Sequence, residues 1–135
     1  MKSAEHATIG VVVSTVGVAL MRSRSLPRRA VLWVYGVLLS VFIDLDHFVI
    51  ARDRTGDWSI LRRCLRDPVW AFTEQDEVFS DLEEDIDFER LVSHAVLGGL
   101  LTAGWYLVSP VVAVYTAVVL YFHVLADVVR EAELL

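Results

Sequence analysis

Cysteine is almost absent from this chain. Cys64 is the only one, so no intrachain disulfide can form, and neither a cysteine-based zinc site nor a redox pair is available. Positive charge is also scarce, with 12 Lys and Arg against 18 Asp and Glu. That balance excludes the basic surface needed to displace counterions from nucleic acid and fits an acidic, salt-tolerant exposed face. No internal repeat is present, and the acidic stretch after residue 74 lacks the glycine and regular oxygen-ligand spacing of an EF-hand. What the chain has in quantity is apolar surface. Hydrophobic residues make up 56% of its 135 positions, more than a soluble domain of this size can hide, and a membrane resolves the excess.

Four apolar stretches stand out, roughly Ala7 to Met21, Ala30 to Ala51, Leu91 to Val108 and Val111 to Val129. Each approaches the roughly 20 residues that cross a hydrocarbon layer, with the first the shortest and in need of local thinning or flanking anchors. The N-terminal run resembles a signal peptide but has no small-residue cleavage site before the next Arg cluster, so it is read as a retained first helix. "RSRSLPRR", Arg22 to Arg29, carries four arginines and no acid, and Pro27 breaks the helix there. Ser109 and Pro110 separate the last two stretches as a hairpin with almost no loop. Gly10, Ser14, Gly17, Gly98, Gly99 and Ala103 are small enough for close helix packing in lipid. The expected fold is all-α: one membrane domain over residues 1–135, a bundle of four transmembrane helices with an amphipathic and acidic helical insertion between the second and third, about 52–90.

The insertion opens with "DWSILRRCLRDPVWAF", which sets Trp58, Leu61, Leu65 and Trp70 against Arg62, Arg63 and Arg66, the pattern of a helix lying on a membrane surface. "EQDEVFSDLEEDIDFE" follows, strongly acidic, with Val78, Phe79, Leu82, Ile86 and Phe88 at roughly helical spacing. It reads as a solvated helix or loop.

The polar residues inside the apolar runs carry the functional signal. If four helices alternate direction, His6 opens the first, Asp44, Asp46 and His47 close the second, His94 opens the third, and His123 and Asp127 close the fourth. All seven then fall at one end of the bundle, and they include every histidine in the chain. Asp44 and His47 are three residues apart, and His123 and Asp127 four, so each pair shares a helix face. Asp46 diverges from Asp44 in unbroken helix and is expected at the rim or behind a ligand. An ionised group at the centre of a membrane helix costs on the order of 2.5 to 3.5 kcal/mol, and metal coordination offsets that cost. Imidazole with carboxylate suits Zn²⁺, Mn²⁺ or Fe, and helical bundles build such sites from inward-facing side chains. Six candidate ligands, His6, Asp44, His47, His94, His123 and Asp127, exceed the three or four protein ligands of one zinc site and point to one or two divalent ions. Two-metal centres clamp the attacking and leaving oxygens of a phosphate ester, which is hydrolase chemistry. Taken singly, a membrane-buried His or Asp is commonly a hydrogen-bonded packing residue. Arg90, four residues before His94, is either a bidentate phosphate holder or a membrane-surface anchor, and Glu89 or Asp87 is a candidate ion-pair partner for it. Trp33, Trp105, Tyr106 and Tyr121 read as packing or interface residues.

The segments "AEHATIG", "FIDLDHFV", "RLVSHAVLGG" and "YFHVLADVV" resemble, in order, those of the membrane-bound predicted metal-dependent hydrolases that include the LexA-regulated inner-membrane protein, and the resemblance spans all four helices. That family carries an early His, a Pro-Asp-x-Asp-His segment, a His-Arg-x-x-Thr-His-Ser segment and a late His-x-x-x-Asp. His6 matches the first, Asp44, Asp46 and His47 the second, Arg90 and His94 part of the third, and His123 and Asp127 the last. Ile43 stands in place of the Pro, Glu89 in place of the first His of the third segment, and Ser93 and Ala95 in place of Thr and Ser. The resemblance implies a metal site, hydrolase activity and a location in the inner, or plasma, membrane.

Together these features lead to an integral membrane metal-dependent hydrolase. The six ligands hold the metal, Asp46 or Glu89 serves as general base or ligand orienter, and Arg90 serves as a substrate contact. The partners expected are the bilayer and an amphiphilic ester, such as a phosphorylated lipid, with no nucleic acid. A proton or metal-ion relay is the alternative; it calls for polar residues continuing along the helices, and Ser14, Thr15, Tyr35, Ser40, Thr102 and Thr116 are the chief ones present. A non-catalytic metal-binding membrane protein is the third reading.

Overall fold

Residues 3–79 and 87–132 are described by the structure, a computed structural model, and they form helices joined by short turns, with no strand among them. Helix α1 covers Ser3–Leu20 and α2 covers Leu26–Phe42. Pro27 sits in the first turn of α2, where a helix has no use for its missing N–H. A 3₁₀ turn, Ile43–Asp46, joins α2 to α3, His47–Thr55. Gly56 ends α3 in the left-handed conformation, φ 79°, which a residue with a Cβ adopts at a cost.

The insertion is a series of short helices, α4 (Ser59–Arg66), α5 (Pro68–Thr73) and α6 (Gln75–Val78). The amphipathic helix expected over this region is realised in α4, with Cys64 buried and Arg62, Arg63 and Arg66 exposed. Asp67 ends it, because the residue before a proline is disfavoured from helix, and the Asp67 carboxylate then accepts from the Trp70 backbone N–H at 2.9 Å to start α5. Arg63 lies 3.9 Å over the Trp70 ring and Arg52 5.0 Å over Trp58, so the aromatic rings share one surface with the arginines. The acidic positions 80–86, with Leu82 and Ile86, fall outside the described residues.

The long helices α7 (Asp87–Val108) and α8 (Pro110–Glu131) complete the chain. The Ser109 hydroxyl caps α8 by accepting from Val112 N. Three segments, Leu26–Thr55, Phe88–Val108 and Pro110–Arg130, are long and apolar enough to cross a membrane, and Ala4–Leu20 is a shorter apolar helix. Of the four spans expected from sequence, the first therefore falls below full spanning length. At 1.5 Å per residue it reaches about 26 Å, against a hydrocarbon core of about 30 Å.

Helix α1 packs chiefly on α2, and α7 on α8, while α8 also touches α1 and α2 and ties the two hairpins together. Val18, Tyr115 and Val119 form the buried apolar centre, with Val13, Leu32, Trp33 and Leu39 against it. Val12, Val16, Leu100 and Val114 face outward, as suits a bundle whose solvent on the sides is hydrocarbon.

Close approach of α1, α2 and α8 depends on Gly36. A Cβ there would lie 2.2 Å from the Tyr115 hydroxyl oxygen and 2.3 Å from Ser14 Oγ, and the Tyr115 hydroxyl is committed to the Leu32 carbonyl at 2.9 Å. Gly36→Ala is expected to destabilise the protein by about 1–3 kcal/mol through overpacking. Gly104→Ala, where nothing lies within 4 Å of the added carbon, should be neutral or stabilising by up to about 1 kcal/mol. Thermal unfolding in detergent followed by circular dichroism separates the two, and equal midpoints would contradict this account of the packing.

Candidate metal centre

Helix lengths place the polar residues at matching depth. His6 lies near the start of α1 and Asp44 just past the end of α2, while His94 falls in the first half of α7 and His123 and Asp127 in the second half of α8. At 1.5 Å per residue all are about 20–27 Å from the turns at 22–25 and at Ser109, close to the opposite boundary of the apolar core. The structure brings the expected six ligands together there, in two groups whose ligand atoms lie within 4.8 Å of one another.

The first group is His6, Asp44, His123 and Asp127. His6 Nε2 is 3.6 Å from Asp44 Oδ2 and 3.2 Å from Asp127 Oδ1, and His123 Nε2 is 3.3 Å from Asp44 Oδ1 and 3.4 Å from Asp127 Oδ2. The second is Asp44, His47 and His94, with Asp44 Oδ1 at 3.6 Å from His47 Nε2 and 3.0 Å from His94 Nε2. Asp44 belongs to both.

Backbone carbonyls fix two of the rings. His123 Nδ1 donates to the Ser40 carbonyl at 2.9 Å, and His94 Nδ1 to the Arg90 carbonyl at 2.6 Å. A carbonyl only accepts, so each Nδ1 carries a hydrogen, and in the neutral ring the lone pair is on Nε2. Those lone pairs point at carboxylate oxygens, an arrangement of acceptor against acceptor that calls for a cation or proton between them. The distances suit a metal ion. Tetrahedral ligands held 2.0–2.2 Å from an ion stand about 3.3–3.6 Å apart, close to the 3.2–3.6 Å of the four N–O separations in the first group. His6 Nδ1 and Nε2, His123 Nε2 and both Asp46 oxygens are buried without a hydrogen bond, which an apolar surrounding penalises unless something coordinates them. The rings of His6 and His123 stack with centroids 4.0 Å apart, and those of His94 and His123 at 5.0 Å. Neutral imidazoles tolerate that spacing better than imidazolium ions, whose repulsion at 4 Å is about 4 kcal/mol at an effective dielectric of 20.

Of the two positions expected for Asp46, at the rim or behind a ligand, the structure has the second. The chain is not unbroken helix here, and the 3₁₀ turn winds about 120° per residue rather than 100°, carrying Asp46 inward. It is buried, with Oδ1 3.6 Å from His47 Nε2 and Oδ2 3.3 Å from His94 Nδ1. Arg90 also faces the cluster, its Nε donating to His47 Nε2 at 3.1 Å. Glu89, one residue and about 100° around α7, instead forms an ion pair with Arg54 of α3 and joins neither ligand group.

Ser40 is the site residue that sequence reasoning did not place. Its carbonyl orients His123 and its hydroxyl donates to the His6 carbonyl at 2.8 Å, behind-the-ligand roles of the kind that fix imidazole orientation. The available signal was its position one helical turn before Asp44. Gly10 permits the approach, since a Cβ there would lie 2.7 Å from Ser40 Cβ. Phe79 closes over the outer side, its ring edge-on to His47 at 5.9 Å, and Arg130 pairs with Glu5 at 3.1 Å where α8 meets the start of α1.

Fold and site together define a helical membrane bundle with a His/Asp cluster able to hold a metal ion. Comparison of the chain with protein-family models, with curated proteins and with solved structures found no match. The shared carboxylate sets a test on the full chain in detergent, titrated with Zn²⁺ and read by elemental analysis after desalting. Asp44→Asn should abolish binding to both groups, whereas Asp127→Asn and His47→Gln should each remove only part of the wild-type stoichiometry. Wild-type zinc content in Asp44→Asn would contradict the arrangement.

Proposed function

We propose that this chain is an integral membrane metal-dependent hydrolase that holds two divalent ions and acts on the phosphate ester of a lipid or other amphiphile at the membrane boundary. The observation that carries the reading is the Asp44 carboxylate shared by two ligand groups, the arrangement of a bridged two-ion centre. His6, Asp44, His123 and Asp127 would hold one ion, and Asp44, His47 and His94 the other, with His47 Nε2 giving up its hydrogen bond from Arg90 to ligate. An imidazole and carboxylate donor set suits Zn²⁺, Mn²⁺ or Fe, and Zn²⁺ is the ion proposed here. When bound, such ions supply Lewis-acid polarisation and activate water near neutral pH.

The chain's own groups divide the remaining work. Asp46 lies beside His47 and His94 with both oxygens buried, and as general base it takes the proton of the attacking water. Arg90, at the edge of the cluster against His47, holds a phosphate oxygen and balances charge. Glu89 is engaged with Arg54, which supports Asp46 over Glu89 as the base. Placement at the end of an apolar bundle suits a substrate whose headgroup meets the cluster while its tails stay among lipid. The sequence resemblance to the membrane-bound hydrolases supports the same chemistry and an inner-membrane location.

Release of inorganic phosphate from short-chain phosphatidic acid in detergent tests the proposal. A chelator should abolish release and added Zn²⁺ or Mn²⁺ restore it. Asp46→Asn should lower kcat by about 100-fold or more with metal content unchanged. Metal-loaded wild-type protein that cleaves neither this lipid nor a panel of related phosphate and carboxylic esters would end the hydrolase reading.

A second reading, a proton or metal-ion relay, draws on the burial of Ser14, Ser40 and Thr116 within the bundle, which extends polar groups away from the cluster. Ion flux into sealed liposomes, abolished in His123→Ala, would favour it; absence of flux would exclude it.

A further inference from the structure

Helix α7 packs on α8 rather than on α2, and at the end of the bundle away from the histidines a cleft of about 490 Å³ lies between α2 and the α7–α8 hairpin. That volume is within the usual range of ligand pockets, about 300–1,000 Å³. Val31 and Leu32 of α2 and Val111 and Val112 of α8 wall it. Tyr35 and Trp105 also line it, but their polar atoms are already used. Trp105 Nε1 donates to the Tyr35 hydroxyl at 2.9 Å, and that hydroxyl shares a 2.9 Å hydrogen bond with Thr116 Oγ1. The two side chains therefore add no unpaired polar group to the cleft.

The charge at the rim has one sign. Arg24 and Arg28 line the cleft and are exposed, and neither has an ion-pair partner among the described residues. They belong to the stretch 22–29, which contains four arginines and no acid. Arg29 is the member with a structural task, its Nε donating to the Val18 carbonyl at 2.9 Å. Leu26 and Val108, next in sequence to the lining residues Pro27 and Ser109, are exposed, so apolar surface continues from the lining onto the outside of the bundle.

We propose that this cleft binds one anionic phospholipid of the leaflet on the arginine side, its phosphate on Arg24 and Arg28 and an acyl chain between α2 and α8. A guanidinium pair suits phosphate oxygens, and a soluble anion would gain nothing from walls of valine and leucine. Basic pockets between membrane helices hold anionic headgroups for the same reason. The site is independent of the histidine cluster and of any activity there.

Native mass spectrometry of the full chain, taken from nanodiscs of equal phosphatidylglycerol and phosphatidylcholine, reads the occupancy directly. Wild-type protein should retain one phosphatidylglycerol in preference to phosphatidylcholine. The double variant Arg24→Gln, Arg28→Gln should lose about tenfold in that preference, and Val31→Trp, which fills the cleft and keeps both arginines, should lose the retained lipid. Arg22→Gln, on the same turn but outside the cleft lining, should behave as wild type. Circular dichroism and zinc content, unchanged across the set, show that the bundle and the other site are intact. Equal retention of the two lipids by wild-type protein would overturn the proposal, as would full phosphatidylglycerol retention in folded Arg24→Gln, Arg28→Gln or in folded Val31→Trp.

Discussion

Buried carboxylates need a counter-charge, and the histidine end of this bundle is arranged around that requirement. Asp46 and Asp127 are buried and Asp44 nearly so, with four imidazoles turned toward them. Arg90 is in contact with one of these imidazoles, that of His47. In a medium of low dielectric, an isolated carboxylate is costly enough that it pairs, protonates or coordinates. The carbonyls of Ser40 and Arg90 take the Nδ1 hydrogens of His123 and His94, which leaves Nε2 lone pairs facing the carboxylates, an arrangement that a cation or a proton between them would satisfy.

The rest of the fold serves that end. Two helical hairpins return the chain to the same boundary, so residues from position 6 to position 127 meet in one cluster. Small residues set the helix spacing: Gly10 lets α1 reach Ser40, and Gly36 admits the Tyr115 hydroxyl and Ser14 Oγ. The opposite end has a different chemistry, with arginines and an apolar cleft in place of acids and imidazoles.

Much of this was legible in the residues themselves. Hydropathy located the helices, and alternation of direction was enough to put His6, Asp44, His47, His94, His123 and Asp127 at one end, because each lies at a similar distance along the helix from a turn. Spacing also paired Asp44 with His47 and His123 with Asp127. What periodicity could not reveal was the local winding. Continuous helix over residues 26–55 leaves Asp46 either at the rim or behind a ligand, and the 3₁₀ turn at Ile43–Asp46 puts it behind His47 and His94. The role of Ser40 was hidden for another reason, since half of it is a backbone carbonyl, a group every residue possesses. Glu89 was a candidate base by its place beside Arg90 in sequence, yet one step around α7 was sufficient to give it to Arg54. The short first helix was visible as short, but only the geometry separates its length from that of the three full spans.

The central claim is that the imidazoles and carboxylates at this end coordinate metal. X-ray absorption at the zinc edge on the full chain, loaded and desalted in detergent, reads the ligands without reference to activity. The account predicts a first shell of nitrogen and oxygen only, at about 2.0–2.2 Å, with outer-shell scattering from about two imidazoles per ion. A spectrum of hydrated zinc, with no imidazole scattering, would contradict it.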